Sequence, residues 1–197
     1  VALTEFERPR SNGKIALDIV DGDRLVGVDI TDGQQEVMLV SDAGKAIRFN
    51  ESHIRVMGRN ARGVRGIQLK ADQQVIALII VDETRTLLTA TENGYGQRTA
   101  LSDYRSIGRG GQGVIAIQVS DRNGRVVAAT QVLEESDILL ISNGGTMVRT
   151  RVSEVSVLGR NTQGVRLINL SKDEMLVGVE ACDIPESSDE LEGTSES

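Results

Sequence analysis

The chain has 197 residues, 39% of them hydrophobic but only 2% aromatic, so it is long enough to bury a core and must build it from Val, Ile, Leu and Ala. Its 21 glycines against 2 prolines imply many tight turns and favour short strands over helices. The net charge of −7 excludes a nucleic-acid partner only if it is spread evenly, and it is not: six acids and no Lys or Arg follow from Asp183 onward, leaving 22 basic and 23 acidic residues in the rest.

Taken in chain order, SNGKIALDI places Gly13 50 residues before Gly63, so the chain opens with the last strand of a unit whose earlier strands lie outside it. An apolar leader, DRLVGVDI, follows at 23–30, then a strand EVMLV at 36–40, a turn at Gly44, a strand KAIRF at 45–49, the loop GRNARG at 58–63 and a strand VRGIQL at 64–69. The pattern then repeats. The stretches beginning at Ser41, Thr91 and Ser142 align without gaps at spacings of 50 and 51, keeping Gly44, Gly94 and Gly145 in one column and Gly63, Gly113 and Gly164 in another. Later leaders are QQVIALII and GRVVAATQV, and EMLVGVEA, with Leu176 lying 151 residues beyond Leu25, begins a further unit. The organisation expected is a β region over 1–182, with units at about 21–70, 71–120 and 121–171, part-units at 1–20 and 172–182, and an acidic tail over 183–197 whose composition is that of a disordered terminus.

Four short strands per unit, divided by Gly, Asn and Asp turns, are the arithmetic of an all-β, propeller-like array of four-stranded blades, incomplete at the N-terminus. The nearly all-apolar runs Leu87 to Thr91 and Ile138 to Ser142 read as inner strands covered on both faces. The strand at Leu176 to Val179 can close on the opening strand or leave both edges exposed.

No convergent set of acids, bases and nucleophiles marks an enzyme. His53 is the only histidine, and one histidine with one cysteine cannot build a zinc site. The stretch GRGGQG at 108–113 matches a dinucleotide-binding pattern, but a strand follows where that site needs a helix. The lone Cys182 excludes an internal disulfide, no apolar run approaches the ~20 residues that span a bilayer, and the first residues are unlike a signal peptide, so a cytoplasmic chain without a membrane partner is expected. It begins without Met and reads as a piece of a longer protein.

Arginine beside glycine does repeat. Arg59, Arg109 and Arg160 each follow a Gly in the loop, Arg48, Arg98 and Arg149 each follow the hairpin turn, and Lys45, Arg62, Arg65, Arg105, Arg151 and Arg166 vary by unit. Guanidinium forks match phosphate oxygens, and glycines let a backbone come close, so these residues are the candidates for contact with double-stranded DNA. The same columns are also what a fold constraint would produce, with each arginine bonding a neighbouring unit's carbonyl, and a propeller-like protein-interaction module is the alternative reading.

LTEF, GKIALDIVDGDRLVGVDIT, GVRGIQL, LTATENGYGQRTA, MVRTRVSEVS and GRNTQGV carry a resemblance to the C-terminal domain of the bacterial DNA gyrase A protein, part of a type IIA topoisomerase. The resemblance implies a β-pinwheel, in which neighbouring blades exchange strands and DNA wraps around a basic rim, with an acidic tail that tunes the wrapping. It further implies bacterial cytoplasm, the gyrase B protein and the remainder of the gyrase A protein as partners, and no cofactor in this segment, since ATP and magnesium act through other domains. The family's heptad Gln-Arg-Arg-Gly-Gly-Lys-Gly has its nearest match here in Gly108 to Gly113, which lacks one Arg and the Lys.

Overall fold

The computed structural model describes residues 1–9 and 11–182; Arg10 and the acidic stretch 183–197 lie outside the described residues. Eleven strands are present among the described residues: β1 Glu36–Ser41, β2 Lys45–Asn50, β3 Val75–Ile80, β4 Thr86–Thr91, β5 Tyr95–Ala100, β6 Val114–Ile115, β7 Val126–Val132, β8 Asp137–Ser142, β9 Met147–Arg151, β10 Val165–Arg166 and β11 Leu176–Cys182. They form three antiparallel sheets, ordered β3-β1-β2-β6, β10-β5-β4-β7 and β11-β8-β9. No sheet is made from one sequence unit. The hairpin of each unit is flanked by the leader and, in the first two sheets, the last strand of the unit after it.

Each hairpin turns through three residues whose last, Gly44, Gly94 or Gly145, lies at positive φ. Its N–H donates back to Ser41, Thr91 or Ser142, the geometry of a three-residue hairpin loop closed by a left-handed residue. Glycine at 44 answers a second demand as well. A Cβ there would sit 2.2 Å from the Ile117 carbonyl oxygen, because the last strand of the next unit crosses directly over the turn. The crossing is held by the Ala116 N–H on the Gly44 carbonyl at 2.8 Å and repeated by Leu167 on Gly94 at 2.8 Å. At the other end of that strand, a Cβ on Gly113 would meet the Ala46 carbonyl oxygen at 2.4 Å. The glycine columns therefore record strand exchange as well as turning.

The core lies between sheets. Met38, Val40 and Ala46 of the first sheet pack with Leu87, Leu101 and Tyr104 of the second unit, and Leu88 and Ala90 pack with Ile138, Leu140, Val152 and Val155 of the third. Strand β4, caught between two neighbours, is buried from Leu87 to Thr91, as its sequence implied. Strand β8 instead buries alternate residues, Ile138, Leu140 and Ser142, because no further sheet covers its second face among the described residues. β11 pairs with β8 rather than with the opening segment.

The first unit departs from the strand reading. Neither its leader at 23–30 nor its last segment at 64–69 forms a ladder, since no hairpin stands ahead of it among the described residues. Leu25, Val26, Val28 and Ile30 are left exposed. Short 3-10 turns at Glu51–His53, Leu101–Asp103 and Val152–Glu154 follow the hairpins, a feature that the apolar pattern did not foreshadow.

Candidate nucleic-acid interface

The candidate cations divide by what their side chains touch. One group latches units together. Arg98 is 3% exposed; its Nε donates to the Val155 carbonyl at 2.7 Å and its Nη1 pairs with Glu134. Arg48 does the same one unit earlier, donating to the Leu101 carbonyl at 3.2 Å and pairing with Glu36 and Glu83. Arg149, the third of this column, pairs with Asp137 at 2.6 Å and is exposed.

The loop arginines follow one rule. Arg59 Nη1 donates to the Ile15 carbonyl at 2.7 Å, Arg109 Nη1 to Arg65 at 3.1 Å and Arg160 Nη1 to Ile115 at 2.9 Å. The three acceptors are themselves equivalent positions, 50 residues apart. Arg109 also donates to the His53 carbonyl at 3.0 Å, Arg160 lies 5.7 Å over the Tyr104 ring, and Arg59 pairs with Glu5 at 3.7 Å. All three side chains are half-buried. Backbone bonds reinforce each joint: Gln68 N–H donates to Gly111 at 2.8 Å and Gln118 to Thr162 at 2.7 Å. In the GRGGQG stretch, the Gly110 N–H is likewise committed to the Gly66 carbonyl at 2.5 Å, and β6 follows the loop.

A second group faces solvent. Arg65, Arg105 and Arg151 are exposed, and their guanidiniums have no hydrogen-bond or ion-pair partner among the described residues. Arg62 is exposed and pairs with Asp18 at 2.6 Å. Lys45 is half-buried at the start of β2, in register with Ile115, whose carbonyl holds Arg160. Hairpin of one unit, last strand of the next and loop of the third thus meet at a single point. Arg166 is exposed, lies 4.9 Å over the Tyr95 ring and donates to its hydroxyl at 2.6 Å.

Several further polar residues join the units without belonging to any repeated column. Arg125 of the third unit reaches back to Asp42 of the first at 2.8 Å and to Asp72 at 3.2 Å, which raises its own pKa. Gln97 is fully buried and joins Thr99, the Ala116 and Gly159 carbonyls and Thr162, tying the second and third units at one side chain. Arg122 stands 4.7 Å over the Tyr95 ring from the face of a neighbouring turn. Sequence reasoning missed all three, because each lacks a counterpart in every unit and a search for shared columns passes over such residues. Among the described residues no three His, Cys, Asp or Glu side chains are placed to hold a metal. No described helix is long and apolar enough to cross a membrane.

Blades that take two strands from their own unit and the others from the next define a β-pinwheel, the strand-exchanging form of the propeller. The chain matches the family described as DNA gyrase C-terminal domain, beta-propeller, over residues 1–32, 35–82, 85–132 and 136–183, and it belongs to that family. It is 56% identical over 188 residues to the DNA gyrase A protein of Pseudomonas aeruginosa, covering 95% of this chain and 20% of that protein. To the DNA gyrase A protein of Escherichia coli it is 50% identical over 190 residues, covering 96% and 22%. The chain thus spans about a fifth of the length of these curated relatives. Among solved structures, a DNA gyrase A C-terminal domain superposes with a TM-score of 0.79 at 30% identity, covering 87% of this chain and 59% of that one. A C-terminal domain of DNA topoisomerase IV gives 0.85 at 21% identity, covering 91% and 56%, and shares the fold.

Proposed function

We propose that this segment of a type II topoisomerase binds duplex DNA along its outer surface and bends it around the blades. The whole enzyme, with the gyrase B protein and the remainder of the gyrase A protein, would then use the wrapped segment to introduce negative supercoils in the bacterial cytoplasm. Strand cleavage, ATP and magnesium belong on this reading to parts outside the chain, which contributes no catalytic residue. The observation that carries it is the set of exposed, unpaired guanidiniums at Arg65, Arg105 and Arg151, one from each unit in turn. Guanidinium forks without carboxylate partners match phosphate oxygens, and a contact set made only of them is nearly blind to sequence.

Gel-shift titration of the chain with a duplex of about 40 base pairs across a salt series tests this, because each neutralised phosphate adds about 0.9 to the log–log salt slope. Binding that collapses with salt, and weakens when Arg65, Arg105 and Arg151 are replaced by Gln, supports the reading. Absence of binding at the lowest salt overturns it.

A further inference from the structure

Tyr95 is the first residue of β5, at the hairpin turn of the second unit. Two arginines from the third unit converge on its ring, Arg122 with its guanidinium carbon 4.7 Å from the ring centre and Arg166 at 4.9 Å. Neither has a carboxylate partner among the described residues, and both are exposed. Backbone bonds set their positions. Arg166 is the ladder partner of Tyr95, and the Asn93 side chain on the hairpin donates to the carbonyls of Asp121 and Arg122 at 3.3 and 3.2 Å. The pair perturbs the phenol: a hydrogen bond from Arg122 and the charge of both guanidiniums hold Tyr95 below the ordinary tyrosine range.

Two uncompensated cations held against one ring cost repulsion that a purely structural contact would avoid with a single arginine. The other units show what is kept at this place. Where the second unit has Tyr95, the first has Lys45 and the third has Thr146; counted back from the leader residues that pair with Ser41, Thr91 and Ser142, the positions equivalent to Arg122 are Ala71 and Lys172, each followed by an aspartate, and the first sheet's counterpart of Arg166 is Ile115. The charge therefore comes from the hairpin in one sheet, from the two flanking segments in the next, and from Lys172 in the third.

Resting on the DNA-binding reading above, we propose that Arg122, Tyr95 and Arg166 form a preset clamp for the phosphates of duplex DNA, and that Lys45 and Lys172 are its counterparts on the adjoining blades. The ring orders both forks before the ligand arrives, which lowers the entropy lost on binding, and each five-donor fork keeps donors free for phosphate oxygens. These residues supplement the exposed arginines Arg65, Arg105 and Arg151.

The test uses the chain's own chromophores. Tyr95 and Tyr104 are its two tyrosines and there is no tryptophan, so a change in tyrosine emission on adding duplex that persists in Tyr104→Phe reports on Tyr95, the ring against which Arg122 and Arg166 lie. Wild type, Arg122→Gln with Arg166→Gln, Tyr95→Leu and Lys172→Gln are titrated with the duplex across the salt series. The double variant is expected to lower the salt slope by about 2 and to lose the emission change, and Lys172→Gln to lower the slope by about 1. Tyr95→Leu, which keeps both charges but not the ring that orders them, is expected to weaken affinity with less change in slope. If wild type binds and the double variant matches it in affinity and slope, the clamp is overturned while the DNA reading stands. If wild type does not bind duplex, the DNA reading falls and the clamp with it.

Discussion

The Arg98 guanidinium donates to the main-chain oxygen of Val155 at 2.7 Å from a position 3% exposed, joining the hairpin of one unit to the 3-10 turn of the next. Arg65, 33 residues earlier in a sequence context equally rich in Gly and Arg, points its charge into water. The same residue type thus does two jobs, and the two are separable by experiment.

Arg98→Ala leaves a buried carbonyl without a donor and opens a gap between blades, which should cost about 2 to 4 kcal/mol of stability by urea denaturation. Arg65→Ala and Arg151→Ala should change stability by less than about 0.5 kcal/mol while each lowers the DNA salt slope by about 1. Stability and salt slope measured on the same three variants check both halves.

Gly113→Ala should destabilise by more than about 2 kcal/mol, because the new methyl meets the Ala46 carbonyl at 2.4 Å as well as an unfavourable positive φ. Gly63→Ala, in the equivalent place in the first unit, has a φ of 84° but open space around it, so it should cost only the backbone term of about 1 kcal/mol. Thermal melts of the two variants compare a strand-crossing glycine with a merely turning one.

Burial pushes the Tyr104 phenol up to about 12, against the nearby charge of Arg160. A folded-state value raised above the unfolded one of about 10 means that the stability it reflects is fully present below pH ~10 and is lost as pH rises through about 12. Alkaline titration by near-ultraviolet absorbance should therefore resolve Tyr95 first and Tyr104 last, with Tyr104 ionising together with unfolding. Tyr104→Phe should remove the late step and flatten the alkaline loss of stability.

The repeat, its glycine columns and the hairpins were legible because turn chemistry and apolar alternation are local. The exchange of strands was not readable from periodicity, since a strand such as Val114–Ile115 looks the same whether it pairs within its own unit or with β2 of the previous one; only the family resemblance implied it. The segments 23–30 and 64–69 show the converse, being strand-like in sequence yet without a ladder because pairing needs a partner. The arginine columns were visible, but whether a guanidinium meets a carbonyl, as at Arg160, or water, as at Arg151, depends on what the next unit brings to it.

Because β3 and β6 leave the second unit to complete the sheet of the first, and β7 and β10 leave the third to complete that of the second, the joints between blades are crossed by covalent backbone. A load applied to the rim is then carried partly in tension along the chain, as in interlinked mail, rather than by face-to-face adhesion alone. The linkage also has a direction. Loss of a later unit strips strands from the hairpin before it, whereas loss of an earlier unit leaves the later hairpins with their own complement, so the array is sensitive to shortening chiefly from one end.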